Sequence, residues 1–180
     1  MDSHPRGAGQ AGDSPSRAPA RGLYTEAERR RRDASRWTLV QGILAPLQFL
    51  VFLVSVALIA RFLITGEGEA AATISVVLKT ATLLAIMVTG CLWEKDVFGV
   101  YLFAPAFYWE DVVSMAVIAL HIAYLVVLGT GMLAVRDQLL LALAAYLSYV
   151  VNAAQFLLKL RAARLQASVG MGAAPRGEPA

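Results

Sequence analysis

Four carboxylates flank one loop: Glu94 and Asp96 stand at its start, Glu110 and Asp111 at its end. The stretch between them, Val97-Phe-Gly-Val-Tyr-Leu-Phe-Ala-Pro-Ala-Phe-Tyr-Trp109, is apolar and rich in rings. A carboxyl beside apolar rings holds its proton more firmly and can serve as a general acid. A second, ionised carboxylate can orient a water and take its proton. Two other side chains stand out by their setting. Lys79 and His121 each lie eight or nine residues inside a long apolar run, about 12–14 Å from its nearer end at the helical rise. A lysine at that depth in a membrane requires a partner or a function. A lone histidine there is either a hydrogen-bonded packing residue or a ligand, and both readings stand.

Those runs are the elements that must position the chemistry. The chain has 180 residues, 58% hydrophobic and 16% charged, against about 45–50% and about 25% in ordinary soluble domains. Of its 29 Lys, Arg, Asp and Glu residues, only 11 fall between Leu39 and Leu158. A soluble chain this short cannot bury so much apolar surface. Four runs fit the roughly 20 residues needed to span a bilayer, over 39–63, 71–93, 112–134 and 138–160, and backbone satisfaction in lipid makes them helices. Pro46, near the start of the first apolar run, is placed where a lost backbone bond costs least. The fold expected is therefore all-α: a four-helix membrane bundle with an aromatic interfacial or re-entrant segment between the second and third spans. Residues 1–22 and 167–180, rich in Gly, Pro, Ala and Ser, read as disordered. Residues 23–37 read as a basic juxtamembrane helix opened by a Thr25–Glu28 capping box and lying on anionic headgroups; 38–166 form the membrane domain.

Arg29, Arg30, Arg31, Arg32, Arg36, Lys95, Lys159, Arg161 and Arg164 all fall on one side of the four spans. Only Arg61 and Arg136 fall on the other. The bias of Lys and Arg to the inside places both termini in the cytoplasm. The arginine run abuts a span, which favours lipid over nucleic acid.

Each span carries a polar stripe at helical spacing: Gln41, Gln48 and Ser55; Ser75, Lys79, Thr82, Thr89 and Trp93; Glu110, Ser114, His121 and Tyr124; Ser148, Asn152, Gln155 and Lys159. Such stripes face a bundle interior. Interhelical hydrogen bonding, about 0.6 kcal/mol per contact, accounts for Gln48, Ser55, Ser75, Thr82 and Ser148. Trp37, Trp93, Tyr101, Tyr108 and Trp109 gather near span ends, as an interfacial belt or as a stacking surface for a flat ligand.

The single cysteine, Cys91, excludes an intrachain disulfide and reads as a packing residue. No dinucleotide, P-loop, zinc-protease or nucleophile-elbow motif is present. One cysteine and two histidines make a protein-built transition-metal centre improbable.

Several long segments resemble the 3-vinyl bacteriochlorophyllide hydratases (2-vinyl in older nomenclature). They are Trp37-Thr-Leu-Val-Gln-Gly-Ile-Leu-Ala-Pro-Leu-Gln-Phe-Leu-Val-Phe-Leu-Val54, Ala72-Thr-Ile-Ser-Val-Val77, the Trp93-Glu-Lys start of the loop, Tyr101-Leu-Phe-Ala-Pro-Ala-Phe-Tyr-Trp-Glu-Asp111, and Val150-Val-Asn-Ala-Ala-Gln-Phe-Leu-Leu-Lys-Leu-Arg-Ala-Ala-Arg164. The resemblance runs from about Tyr24 to Gln166. It implies a hydro-lyase of bacteriochlorophyll biosynthesis in a bacterial inner (intracytoplasmic or photosynthetic) membrane. Such an enzyme adds water to the C3 vinyl group of a chlorophyllide, giving a 1-hydroxyethyl group. The reaction needs no cofactor, the only magnesium being the substrate's. The implied partners are the tetrapyrrole, water, lipid and other enzymes of that synthesis, with no nucleic acid.

Against that chemistry, two site hypotheses are carried by the residues. In the first, Glu94 or Glu110 protonates the vinyl group and Asp111 or Asp96 handles the water. In the second, His121 ligates the substrate's magnesium and Lys79 pairs with its propionate or with a carboxylate. Trp93, Tyr108, Trp109, Asn152, Gln155 and Gln48 complete the candidate binding residues. A non-catalytic tetrapyrrole-binding or assembly protein is the rival class. A small transporter has no support from an internal repeat.

Overall fold

A computed structural model of the chain describes residues 23–172, with side chains described to residue 165. The segment 1–22 and the last residues of the segment 167–180, both expected to be disordered, lie outside the described residues.

Helix α1 (Glu26–Ala34) opens with the expected capping box: Thr25 Oγ1 accepts from the Glu28 N–H, and the Glu28 carboxylate accepts from the Thr25 N–H. Ser35 adopts extended backbone and stops α1. Its Oγ accepts from the Trp37 N–H and so also caps α2 (Arg36–Thr65). The basic helix therefore ends a few residues before the expected boundary, because a serine offers a new N-cap there. Helix α3 (Glu69–Phe98) ends at Gly99, whose φ of 83° turns the chain into the loop 99–107; only glycine takes that conformation without strain. Helices α4 (Tyr108–Thr130) and α5 (Val135–Gly172) complete the chain.

Four of these helices are long and apolar enough to cross a membrane: Arg36–Thr65, Glu69–Phe98, Tyr108–Thr130 and the Val135–Leu165 part of α5. Helix ends overshoot the apolar runs, most at α5, which continues well past residue 160. Because α2 begins at Arg36, Pro46 sits inside it and not in its first turn. The helix carries on without that one N–H, held by its neighbours and its remaining backbone bonds.

The bundle is two antiparallel hairpins, α2–α3 and α4–α5, set side by side. In the first, Trp93 Nε1 donates to Thr38 Oγ1 (3.0 Å), Gln41 Nε2 donates to Thr89 Oγ1 (2.7 Å), and the Ser55 and Ser75 hydroxyls meet at 2.7 Å. In the second, Asn152 Nδ2 donates to Ser114 Oγ (2.8 Å), Lys159 pairs with Glu110, and the His121 ring stacks on Tyr146. Ser55 also reaches across to the Tyr146 hydroxyl (2.6 Å), joining the hairpins. The polar stripes thus face inward. Lys79 and Ser55 have no exposed surface, whereas Leu158 is 65% and Leu147 68% exposed. That inversion of the soluble pattern is what a lipid solvent selects.

Candidate active site

The site is built where the loop 99–107 folds back over the ends of α3 and α4. Glu94, in the last turns of α3, and Asp111, in the first turn of α4, are 6% and 3% exposed. Their carboxyl groups lie within hydrogen-bonding reach of each other. Each is anchored by a loop amide: Ala104 N–H donates to Glu94 Oε2 at 3.2 Å, and Phe103 N–H donates to Asp111 Oδ2 at 2.8 Å. Two carboxylates this close repel each other when both are ionised, an arrangement suited to sharing one proton. The amide bond to Asp111 is the shorter of the two and favours an anion there.

Phe103 carries a cost for this. Its φ of 60° is the only positive value among described non-glycine residues, and a bulky side chain there is a strained outlier. The strain aims the amide at Asp111. No sequence signal marks Phe103 or Ala104 as site residues, because they act through backbone N–H groups. The nearest hint is Pro105, which restricts Ala104 and forces a loop.

An aromatic cap closes the outside. Phe107 is 2% exposed. Trp93 and Phe98 meet it edge-on, Phe156 stacks on it, and Tyr24 packs against both Phe98 and Phe107. Tyr24 arrives with α1, which lies against α3. Ser35 Oγ donates to Asp96 Oδ2 and holds that junction down.

The structure brings together part of the expected set. Glu94, Asp111 and Trp93 share one site, with Glu110 beside them. Glu110 is 8% exposed and neutralised by Lys159, whose ammonium also lies over the Phe107 ring. Asp96 is exposed and turned toward Ser35, away from Glu94. Tyr108 (47% exposed) and Trp109 (70%) point outward and pack on each other, as members of an interfacial belt. Gln155 and Asn152 lie one and two turns along α5 from Lys159.

His121 and Lys79 are elsewhere. His121 is ten residues beyond Asp111 on α4, about 15 Å along the axis; Lys79 is fifteen residues before Glu94 on α3, about 22 Å. The carboxylate pair and these two residues therefore occupy different levels of the bundle. Gln48 belongs to the same mid-bundle region as Lys79. Among the described residues, no three His, Cys, Asp or Glu side chains converge as a metal site.

The family described as 2-vinyl bacteriochlorophyllide hydratase matches residues 24–162. A protein of that name from Rhodobacter capsulatus is 64% identical over 156 residues, covering 87% of this chain and 91% of the relative. Another from Cereibacter sphaeroides is 66% identical over 148 residues, covering 82% and 92%. No solved structure matches the chain. The matched region contains every residue of the carboxylate site and its cap.

Proposed function

Because the chain belongs to the 2-vinyl bacteriochlorophyllide hydratase family, we propose that it hydrates the vinyl group of a chlorophyllide-type tetrapyrrole at the Glu94–Asp111 pair. The observation that carries the siting is this pair: two contacting carboxyls, buried, amide-anchored, and roofed by rings.

The geometry supports the following chemistry. Glu94 gives its proton to the terminal vinyl carbon, and the π pair of the double bond forms the new C–H bond. The cation left on the inner carbon is delocalised into the macrocycle. A water held by Asp111 attacks that carbon, forms the C–O bond, and loses a proton to the Asp111 carboxylate. The proton then crosses the carboxyl–carboxyl contact to restore Glu94. Atoms and charge balance as vinyl plus water to 1-hydroxyethyl, with no electron gained or lost. The magnesium belongs to the substrate. The half-buried Trp93 ring borders the pair on the side open to a flat ligand, and burial keeps bulk water from competing for the proton.

The carboxylate end is assigned to the cytoplasm, supported by nine flanking Lys and Arg residues against two at the other end. Arg29, Arg30 and Arg31 on α1 are exposed there and suit anionic headgroups. The membrane is that of a photosynthetic bacterium.

The test supplies membranes containing the protein with chlorophyllide in water enriched in oxygen-18, without redox cofactor. The product should be heavier by one labelled water, with a blue-shifted band because a double bond leaves conjugation. A spectral shift without a mass change would make the protein a pigment binder and sink the proposal.

A further inference from the structure

Below the carboxylate pair, the bundle interior holds a second cluster of polar atoms that the mechanism does not use. Gln48 Oε1, Lys79 Nζ, His121 Nε2, Asn152 Oδ1 and Gln155 Oε1 are all buried, and none has a hydrogen-bond partner. Lys79 has no exposed surface, His121 is 1% and Gln48 3% exposed.

The helix register strings these along about two turns of the bundle interior. Pairing of Gln41 with Thr89 and of Ser55 with Ser75 sets Gln48 opposite Thr82, one turn from Lys79. Lys79 Nζ lies over the Tyr149 ring, 3.7 Å from its centroid. Tyr149 is one turn from Asn152 on one side and from Tyr146, which stacks on His121, on the other. Each of the four spans therefore contributes a polar group to one inward column, which runs from His121, at the level of Ser55, to Gln48 and Asn152 about two turns nearer the carboxylates. Toward the carboxylate end, Asn152, Gln155 and Lys159 form a ladder on α5, one rung per turn, that ends at Glu110 next to Asp111.

Donor and acceptor chemistry narrows what this column can bind. The lysine ammonium has three protons to give and accepts nothing. The other four atoms are acceptors. Asn152 already spends Nδ2 on Ser114, which leaves its oxygen inward. His121 Nδ1 faces the Val117 carbonyl at 2.8 Å, so Nδ1 carries the proton and Nε2 in the neutral ring accepts. A carboxylate would answer Lys79 alone and add an acceptor facing the other four. Water both accepts and donates, needs two to four polar partners, and can link the ammonium to every acceptor.

We propose that this four-helix column binds a file of internal water, and that the α5 ladder delivers its water to Asp111. The inference rests on the reading of Glu94 and Asp111 as the hydration pair. It answers a need of that site: every turnover consumes one water, and the outer approach is roofed by Tyr24, Phe98 and Phe107.

Two measurements on the full chain in lipid nanodiscs test it. In hydroxyl-radical footprinting, where a short X-ray pulse ionises water in place, Tyr149 and His121 should be oxidised at rates like that of exposed Tyr101. Phe62, in the far-end core, should react at least tenfold more slowly. Asn152→Leu should lower the labelling of His121 and reduce kcat tenfold or more with KM for chlorophyllide unchanged. Gln155→Met serves where Asn152→Leu does not fold. Labelling of Tyr149 and His121 no faster than that of Phe62 would overturn the proposal, as would an unchanged kcat in a folded ladder variant. Labelling abolished by stoichiometric chlorophyllide would mark the column as a substrate pocket and equally overturn it. Failure of the catalytic reading looks different: Glu94→Gln would then retain turnover while the column residues stay labelled.

Discussion

Replacing Glu94 with glutamine isolates proton donation from everything else the side chain does. The amide has nearly the same shape. Its oxygen can keep the Ala104 N–H bond (3.2 Å in the native site), and its NH₂ can donate to Asp111 in place of the carboxyl proton. The change therefore trades one satisfied buried group for another, and its effect on stability should stay within about 1 kcal/mol. Its effect on rate should be far larger. Loss of a positioned general acid removes about 10²–10⁴ in rate, equivalent to about 3–5 kcal/mol of transition-state stabilisation. Asp111→Asn should cost a similar factor, because the Phe103 N–H bond (2.8 Å) survives on the amide oxygen while the base is lost. If the pair acts as one proton-sharing unit, the double variant should be no slower than the worse single variant, since such losses are strongly non-additive. The assay is single-turnover conversion of chlorophyllide, followed by mass and by the blue shift, beside thermal unfolding of the same preparations. Multiplying effects in the double variant would refute the shared-proton argument. Near-native turnover by folded Glu94→Gln would refute the assignment itself.

Other outcomes follow from particular contacts. Phe103→Gly should relieve the positive φ and keep turnover, because the amide donor remains, while Phe103→Pro should lose activity through loss of that N–H; turnover of the two variants in matched amounts of folded protein checks this. Lys159→Met should destabilise the protein by about 2–3 kcal/mol by stranding the Glu110 carboxylate, and adding Glu110→Gln should restore most of it, as read by denaturation in detergent. Ser55→Ala should cost about 1–2 kcal/mol, because both the Ser75 and the Tyr146 hydroxyls lose a buried partner, with little effect on KM. Trp109→Ala should leave kcat within about twofold, since the ring points outward, and should act only on membrane anchoring, seen as a changed lipid dependence of unfolding.

The spans were legible because lipid imposes a simple rule: about 20 apolar residues and an internally satisfied backbone. The interior stripes were legible for the same reason, since a polar residue in such a run has only one favourable direction to face. The boundary at Ser35 and the position of Pro46 within α2 were harder. They depend on how far a helix continues beyond the apolar run, which its local caps decide. Of the four loop carboxylates, sequence spacing alone could not say which would meet. Glu94 and Asp96 are two apart on one helix and so face nearly opposite ways; only the fold-back of the loop selects Glu94 for Asp111. The amides of Phe103 and Ala104 were invisible, because a backbone donor leaves no mark in residue type.

The same geometry separates two roles that composition had merged. Lys79, His121, Glu94 and Asp111 are all buried polar groups on inward stripes, and nothing in the sequence sets a distance between them. Helical rise does: about 15 Å of helix axis divides Asp111 from His121, which puts the two at different levels of the bundle. A protein that needed only to hold a pigment could place its polar residues anywhere along the seam. Here two carboxyls are pressed together at one end, under a ring-lined roof and on amides aimed by a strained residue. Holding a pigment does not call for that arrangement, whose cost in strain and desolvation is of the kind functional sites carry. Passing a proton to a carbon and recovering it from a water requires an acid and a base that can exchange their proton. The contact between Glu94 and Asp111 meets that requirement.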